Sequence, residues 1–180
     1  FEGNGYGLEW EIEAEKRGLS NHKTTPEALK AKISKKSIAL FEEMDVMSKV
    51  EVVARHEIEL EEYMLRIQIE GRVLGDIARN HIIPTAVKYQ NTLIENVSGL
   101  KNIFGDGFME HAKEQIDLIK KISSHIAGIN SKVEEMTEQR RKANKLHGQE
   151  SADAYCNDVK PYFEEIRYHC DKLEMMVDDE

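Results

Sequence analysis

The chain has 180 residues, enough for one domain or one elongated module, and its 34 acidic against 25 basic residues give a formal net charge of −9. That charge repels nucleic-acid phosphates and anionic lipids, and no apolar run approaches the roughly 20 residues that span a bilayer, so we expect no nucleic acid and no membrane among its partners. With 33% charged residues, 3 prolines and no signal-peptide pattern, the composition favours a helical, water-soluble, cytoplasmic protein.

The opening stretch FEGNGYGLEW carries three glycines. A phosphate-binding loop needs a strand before such glycines and a helix N-terminus after them. No strand precedes this stretch, and the helix predicted to follow begins with Leu-Glu-Trp-Glu, whose carboxylates repel a phosphate. We interpret the glycines as a flexible turn, and we expect burial of Tyr6 and Trp10 to anchor it.

Three short helices are predicted next. The first is expected over Leu8 to Arg17, ended by Gly18; the second begins at Thr25-Pro26-Glu27, with proline in its first turn; the third begins at Ser34 or Ser37. We interpret residues 1–47 as short helices laid against a larger body.

A long helix is predicted from Ser48, because Ser48 and Glu51 form a capping-box pattern. Behind them, residues recur at the alternating spacing of four and three that marks a heptad seam. The seam holds Val53, Glu57, Leu60, Met64, Ile67, Gly71, Leu74, Ala78 and His81. We expect the small residues Gly71 and Ala78 to let a partner helix come close, and Glu57 and His81 to mark polar ends of the stripe.

Pro84 removes a backbone donor and is therefore expected to kink or break this helix. The helix is predicted to continue from Ala86 to Val97 and to end at Ser98-Gly99. A second glycine cluster follows at residues 104–108.

Two further long helices complete the predicted elements. One carries the stripe Ala112, Ile116, Ile119, Ile122, Ile126, Ile129, Val133, Met136 and Ala143, and ends near Leu146 with Gly148 as its cap. The last begins at about Ser151, is distorted near its start by Pro161, and carries on one face Cys156, Val159, Phe163, Ile166, Cys170, Leu173 and Val177. Because short connections make successive helices fold back, residues 48–180 are predicted to form an all-α, elongated antiparallel helical bundle with long, coiled-coil-like helices, preceded by short helices.

Histidine and cysteine patterns give little support for a chemical site. None of the seven histidines follows a glutamate by three residues, as a di-iron bundle requires, and Arg55-His56-Glu57-Ile58-Glu59 lacks the second histidine of a zincin helix. We interpret the histidines as scattered polar residues on helix surfaces. Cys156 and Cys170 lie about 21 Å apart along one predicted helix, beyond disulfide reach, and are interpreted as core thiols.

Charged runs are similarly weak signals. Glu61-Glu62, Glu134-Glu135 and Glu164-Glu165 could serve acid–base chemistry, but in so acidic a chain they are better interpreted as solvated helix faces. The run Arg140-Arg141-Lys142 suits the dipole at a helix C-terminus, with anion binding as the alternative. No Ser-His-Asp arrangement, nucleophile elbow or Walker lysine is visible. We therefore predict no catalytic, cofactor-binding or metal-ligating residue in this chain.

A set of irregular runs spans the chain, and they are too long to be generic helix composition. They are FEGNGYGLEW with Ala14, Arg17-Gly18-Leu19, Arg55, Glu57-Ile58, Leu60-Glu61, Tyr63, Ile69-Glu70, Asn80-His81-Ile82-Ile83-Pro84, Tyr89-Gln90, Phe104-Gly105 and the acidic end Asp178-Asp179-Glu180. In this order they resemble the C-terminal region of the type III glutamine synthetases. Gly7 departs from the pattern, in which a serine is expected after Gly-Tyr, and this affects only the local turn or helix cap.

The resemblance implies a larger parent enzyme, a cytoplasmic dodecamer of two stacked hexameric rings. Such an enzyme joins glutamate and ammonia with ATP hydrolysis through a γ-glutamyl phosphate. Two or three Mg²⁺ or Mn²⁺ ions would be held by carboxylates upstream of Phe1, at a site completed across a subunit boundary. None of those groups matches a position here, so the resemblance implies a non-catalytic domain that packs against the upstream catalytic domain and neighbouring subunits and helps oligomer assembly.

The ends of the sequence agree with the expectation of an excised fragment. Phe1 is not an initiator residue, and Asp178-Asp179-Glu180 would place negative charge at a helix C-terminus, against the dipole. Residues 1–47 would then join the catalytic domain, and residues 48–180 would form the C-terminal domain. The alternative is a stand-alone cytosolic coiled-coil adaptor that binds a partner helix, which a reading frame beginning immediately before Phe1 would favour.

Overall fold

The computed structural model describes residues 3–177, and within that range the chain is helical with no β-strand, which confirms the all-α prediction. The helices are α1 (Leu8–Lys16), α2 (Thr25–Lys32), α3 (Lys35–Glu43), α4 (Lys49–Ile77), α5 (Ile83–Phe104), α6 (Met109–Ala143), α7 (Gly148–Ala154) and α8 (Pro161–Glu174). The chain divides within α4 into two compact units, one up to Tyr63 and one from Met64 onward. Phe1, Glu2 and the acidic end Asp178-Asp179-Glu180 lie outside the described residues.

The short helices of the first unit begin and end close to the predicted positions. Gly18, with φ +69, ends α1 in a Schellman arrangement, in which the Gly18 N–H donates to the Glu15 carbonyl and the Leu19 N–H to the Ala14 carbonyl. Thr24 caps α2, one residue before the predicted start, because its hydroxyl accepts from the Glu27 N–H. Of the two serines proposed for α3, Ser34 is the cap.

The opening turn is held by hydrogen bonds to Asn4. The Asn4 side-chain oxygen accepts from the Tyr6 N–H at 3.0 Å, and the Asn4 carbonyl accepts from the Gly7 N–H at 3.0 Å. Such an Asx turn orders the backbone without help from the phenol ring. The prediction that Tyr6 is buried was wrong, because its side chain is fully exposed, whereas Trp10 is half-buried.

The capping box at the start of α4 is confirmed. The Ser48 N–H donates to the Glu51 carboxylate at 2.8 Å, and the Glu51 N–H donates to the Ser48 hydroxyl at 3.4 Å. The hydrogen bonds from the Ser48 backbone and side chain hold the pKa of Glu51 below its ordinary value, because they favour the charged carboxylate.

The buried stripe of α4 follows the predicted seam from Leu60 onward, where Leu60, Ile67, Gly71 and Ala78 are all buried. Before Leu60 the prediction was wrong, because Val52 and His56 are buried in place of Val53 and Glu57. Residues four apart lie on one face of a helix with 3.6 residues per turn, so a 52–56–60 row replaces the heptad spacing there.

Pro84 is accommodated by a local widening of the helix. In the five-residue π-helical turn Ala78–Ile82, the Ile83 N–H bonds to the Ala78 carbonyl five residues back. Proline lacks an N–H and crowds the carbonyl four residues earlier, so a wider turn beside it lets the helical backbone continue. A break at Pro84, one of the two predicted outcomes, was therefore wrong.

Helix α5 also passes the predicted stop at Ser98-Gly99. The Ser98 hydroxyl donates to the Ile94 carbonyl at 2.8 Å, a bond that keeps serine within a helix. The helix ends instead at Gly105, whose φ of +57 suits glycine. Residues Gly105–Phe108 then form a 3₁₀ turn that leads into α6.

Pro161 follows a second π-helical turn, Tyr155–Val159, in which the Lys160 N–H bonds to the Tyr155 carbonyl at 3.0 Å. The predicted distortion near Pro161 is thus confirmed. The boundary before it was wrong, because α6 ends at Ala143 and Gly148, with φ +53, begins α7.

Within the unit from Met64 onward, α4 and α5 run antiparallel to α6. Gln90 of α5 donates to the Ile119 carbonyl at 2.9 Å, whereas Gln68, one helix earlier, donates to the Asn144 side chain at 3.1 Å. From α4 to α5 the residue numbers therefore rise, while the residue numbers of their contacts along α6 fall. This is the fold-back that the short connection between α5 and α6 predicts.

Helix α8 and the segment before it pack antiparallel to α6 in the same way. Lys132 pairs with Glu165 at 2.9 Å, and at the C-terminal end of α6 the buried Ser151 hydroxyl donates to the Ala143 carbonyl at 2.9 Å. The core between these helices consists of side chains on the predicted stripes, namely Ile122, Ile129, Val133, Met136, Val159, Phe163, Ile166 and Leu173. Tyr155, which is next to the predicted Cys156 and was not on a predicted stripe, is also fully buried there.

Candidate functional site

The first polar cluster is a pair of histidines between α6 and α8. The Nδ1 atoms of His125 and His169 lie 2.9 Å apart, and the two rings meet edge to face. The Tyr168 ring makes a second edge contact with His169. These two histidines are therefore partners, and the interpretation of all seven as scattered surface residues was wrong.

Gly128 makes room for the histidine pair. A Cβ atom on Gly128 would lie 2.6 Å from both the Cε1 and the Nε2 atoms of His169, closer than real side chains approach. Removal from water lowers the pKa of His125, and the neighbouring His169 and Lys172 lower it further. The cluster thus favours a neutral His125 that shares a hydrogen bond with His169.

His56 also departs from the surface interpretation, because only 4% of it is exposed. Its Nδ1 atom has no hydrogen-bond partner among residues 3–177. The sequence offered one signal for this burial, since His56 lies four residues from both Val52 and Leu60.

Two of the predicted glutamate pairs contribute to an ion-pair network on the bundle surface. Lys132 of α6 lies 3.0 Å from Glu135 and 2.9 Å from Glu165 of α8. The hydrogen bonds that Lys132 donates to Glu165 and Glu135 raise the pKa of Lys132. The hydrogen bonds that Glu135 accepts from Ser131 and then from Lys132 lower the pKa of Glu135. For Glu135 and Glu165 the description as solvated faces was incomplete, since both are bound to a common cation.

The two cysteines line one groove of ≈ 550 Å³ between the π-helical segments and α8. Both are free thiols, as predicted, but only Cys170 is buried, so the interpretation of Cys156 as a core thiol was wrong. Burial raises the pKa of Cys170, and Asp171 raises it further, so the thiol stays protonated and unreactive at neutral pH. Cys170 is therefore not an activated nucleophile.

The predicted basic run at the end of α6 divides into residues with different surroundings. Arg141 lies 3.5 Å from Glu138, whereas the charged groups that act on Arg140 are Arg72 of α4 and Arg141. Beside them, the buried Tyr155 hydroxyl donates to the Asn144 side chain at 2.5 Å, and the same Asn144 oxygen accepts from Gln68. The sequence could not indicate Arg72 or Tyr155, because they come from other helices.

No group of three metal-ligating side chains occurs in the part of the chain that the structure describes. Over the same residues, no helix is long and apolar enough to cross a bilayer.

Apolar side chains are exposed on the short helices and on the outer face of α4. Helix α3 buries none of its residues, and α1 buries only Ala14. Besides Tyr6, the large apolar side chains that are at least 40% exposed in this first unit are Leu8, Ile12, Leu19, Leu40, Met44, Val46, Val50 and Ile58. Such an apolar surface is typical of one that another protein surface covers.

Comparison with known proteins shows which family the sequence resembles. The sequence model of the family described as glutamine synthetase C-terminal domain matches residues 1–101. The chain is 46% identical over 182 residues to a glutamine synthetase of Bacteroides fragilis (strain YCH46), in an alignment that covers 100% of this chain and 25% of that protein.

Two more distant relatives show the same coverage. A glutamine synthetase of Butyrivibrio fibrisolvens is 30% identical over 178 residues, and a type-3 glutamine synthetase of Dictyostelium discoideum is 30% identical over 184 residues. These alignments cover 98% and 99% of this chain, and 25% of each relative. The chain thus spans about a quarter of the length of the curated relatives it matches. Its resemblance to the type III enzymes is confirmed, and the chain belongs to the glutamine synthetase C-terminal domain family.

Proposed function

We propose that this domain is non-catalytic and that it packs against the catalytic part and neighbouring subunits of a type III glutamine synthetase. The parent protein would be a cytoplasmic glutamate–ammonia ligase that uses ATP and Mg²⁺ or Mn²⁺, assembled as a dodecamer. In that protein, residues 1–47 join the catalytic domain and residues 48–180 form the helical bundle. The relatives, four times as long as this chain and called glutamine synthetases, support the parent activity.

The single observation that carries the packing role is the unburied apolar face of α3. Its nine residues form an amphipathic helix in which none is buried. Leu40 is 56% exposed, and Met44, the C-cap that follows the helix, is 66% exposed. Leu40 and Met44 are four residues apart, so they lie on one face. An isolated nine-residue helix is marginal in water and gains most of its stability from packing that face.

The outer face of α4 offers a second apolar ridge. Leu65, Ile69, Val73 and Ile77 recur every fourth residue, and each is at least 44% exposed. At about 100° per residue, this ridge lies on the opposite side of the helix from the buried Gly71 and Ala78. A ridge at this spacing suits packing against another helix.

The apolar area that these contacts would bury determines how much free energy they contribute. Covering a fully exposed Leu, Ile or Met side chain contributes roughly 1.5–3 kcal/mol, so even partial cover of several such residues is a substantial part of an assembly energy. The stand-alone adaptor alternative has less support, because the relatives reported above are glutamine synthetases.

The test is a pair of substitutions on α3 in the full-length enzyme. Leu40→Glu with Met44→Glu should reduce the assembled mass measured by light scattering and, with it, the ligase activity. Lys35→Glu, at an exposed position five residues before Leu40 and therefore away from that face, is the charge-matched control and should leave both unchanged. An intact assembly with full activity in the double variant would contradict the packing role.

A further inference from the structure

A groove runs between α8 and the segment that α4 and α5 form in the unit from Met64 onward. It consists of two adjoining hollows, of ≈ 550 Å³ and ≈ 530 Å³, that share Ile82, Cys170 and Asp171. On α8 its lining extends from Phe163 to Glu174, about 17 Å at 1.5 Å per residue. Its apolar lining residues are Leu74, Ile82, Phe163, Cys170, Leu173 and Val177. An apolar groove of this length accommodates a helix of about three turns.

The two walls of the groove run in the same direction. A Cβ atom on Gly71 would lie 3.1 Å from the Phe163 ring, and further along both walls Ile82 and Glu174 line the same hollow. On the α8 wall, the exposed Arg167 lines one hollow and the exposed Glu174, two helical turns later, lines the other. This wall therefore changes from positive to negative charge along the groove.

Helix α3 carries its charges in the order opposite to the one that its dipole favours. Lys35 and Lys36 are in its first turn, and Glu42 and Glu43 are in its last. The positive end of a helix dipole is at the N-terminus, so each pair of charges opposes it. Among residues 3–177, neither Lys36 nor Glu43 has an ion-pair partner within 4.0 Å. These charges would stabilise α3 if another surface supplied their opposites.

One face of α3 matches the α8 wall in spacing and in charge. Lys36, Leu40 and Glu43 are four and then three residues apart, so they lie on one face of their helix. Three groove-lining residues of α8 have the same spacing in the reverse chain direction, namely Glu174, Cys170 and Arg167. A helix α3 placed antiparallel to α8 would thus meet an opposite charge at each end and a thiol at its centre, a pattern that fixes register.

The connection between α3 and α4 limits what α3 can reach in its own chain. The residues between Glu43 and Lys49 span at most about 20 Å. Glu70, a groove-lining residue of α4, lies about 31 Å along that helix from Lys49. Lys32, just before α3, is also bound to Glu59 at 2.5 Å. A helix α3 that fills the groove must therefore come from another copy of the chain.

We propose that the groove along α8 is the docking site for α3 of a second copy of this chain. The proposal rests on the packing role proposed above and names the surface that receives the apolar face of α3. The surface that docks and the surface that receives it are different, so the contact is heterologous, and repeated contacts of this kind close into a ring.

A single cysteine substitution in the full-length enzyme tests the register. Leu40→Cys places a thiol opposite Cys170 of the second copy, so a mild oxidant should join two chains. We expect a species of twice the chain mass in denaturing electrophoresis, which a reductant removes. Because Leu40 is exposed, the substitution should not prevent folding.

The two natural cysteines provide matched controls. Leu40→Cys with Cys170→Ser should not form the joined species. Leu40→Cys with Cys156→Ser should still form it, because Cys156 is about 21 Å from Cys170 along the helical segment.

Charge reversal is an independent measurement on the same enzyme. Lys36→Glu should raise the protein concentration at which the assembly dissociates by about two- to fivefold, the effect of losing an exposed ion pair, as measured by light scattering on dilution. Lys36→Glu with Glu174→Lys should restore the original value, because the reversed charges attract each other again.

Three results would overturn the proposal: no joined species from Leu40→Cys, a disulfide between Leu40→Cys and Cys170 within one chain, or no restoration by the reversed pair. These results are distinct from failure of the packing role. If Leu40→Glu with Met44→Glu reduces the assembled mass while Leu40→Cys joins no chains, α3 packs in the assembly but not in this groove.

Discussion

The Nδ1 atoms of His125 and His169 lie 2.9 Å apart across the contact between α6 and α8. A hydrogen bond between two imidazole nitrogens needs one protonated and one bare nitrogen, so it cannot survive protonation of both rings. The bundle therefore contains a helix–helix contact whose strength depends on pH.

Lowering the pH should destabilise the bundle through this contact. The pKa of His125 is lower in the folded chain than its ordinary value of 6.5, chiefly because of burial and then because of His169. The unfolded chain thus binds the proton more readily, so stability is at its full value above about pH 6.5 and falls as the pH drops through the lower native pKa. Urea unfolding between pH 7.5 and 5 measures this dependence.

The control for the pH dependence is His125→Asn, which keeps a polar side chain but removes the titration. The variant should show a shallower loss of unfolding free energy between pH 7.5 and 5 than the unchanged chain. Equal slopes would mean that other groups cause the dependence.

Gly128→Ala should destabilise the bundle. The new Cβ would lie 2.6 Å from two atoms of the His169 ring, and such overpacking costs about 1–3 kcal/mol, against a gain of about 1 kcal/mol from the better helix propensity of alanine. Gly99→Ala in α5 is the matched control, because nothing lies within 4 Å of its Cβ, and it should be neutral or stabilising. Thermal denaturation compares the two, and equal effects would show that the His169 ring does not limit the site.

Tyr155→Phe should lower the free energy of unfolding by about 1 kcal/mol, since it removes a buried hydrogen bond to Asn144 while the Asn144 oxygen keeps its bond from Gln68. Tyr168→Phe on the more exposed surface of α8 is the control and should change stability by less than half that amount. Chemical denaturation measures both, and a larger loss in Tyr168→Phe would contradict the assignment of Tyr155 as the tie between helices.

The features that the sequence predicted correctly depend on interactions between residues that are close together in the chain. Ser34, Ser48 and Gly18 each act within a few residues of the backbone groups they satisfy, so their caps were predictable. The apolar stripe of α6 was predictable for the same reason, because its period is a property of one helix.

One missed feature depends on a contact between distant parts of the chain. His125 and His169 are 44 residues apart, and only the packing of two helices brings them together over Gly128. The π-helical turn before Pro84 was missed because proline rules predict a lost hydrogen bond and do not say how neighbouring turns adjust. Tyr6 was wrongly expected to be buried, because an aromatic side chain favours burial. The hydrogen bond from its N–H to the Asn4 side chain orders the turn while the ring stays exposed.

The proposed packing role is tested most directly by the mass of the full-length enzyme with and without residues 48–177, measured by light scattering under the same conditions. We expect the intact protein to form a dodecamer and the shortened protein to form smaller species with reduced ligase activity. An unchanged mass together with unchanged activity in the shortened protein would contradict the role of this domain in assembly.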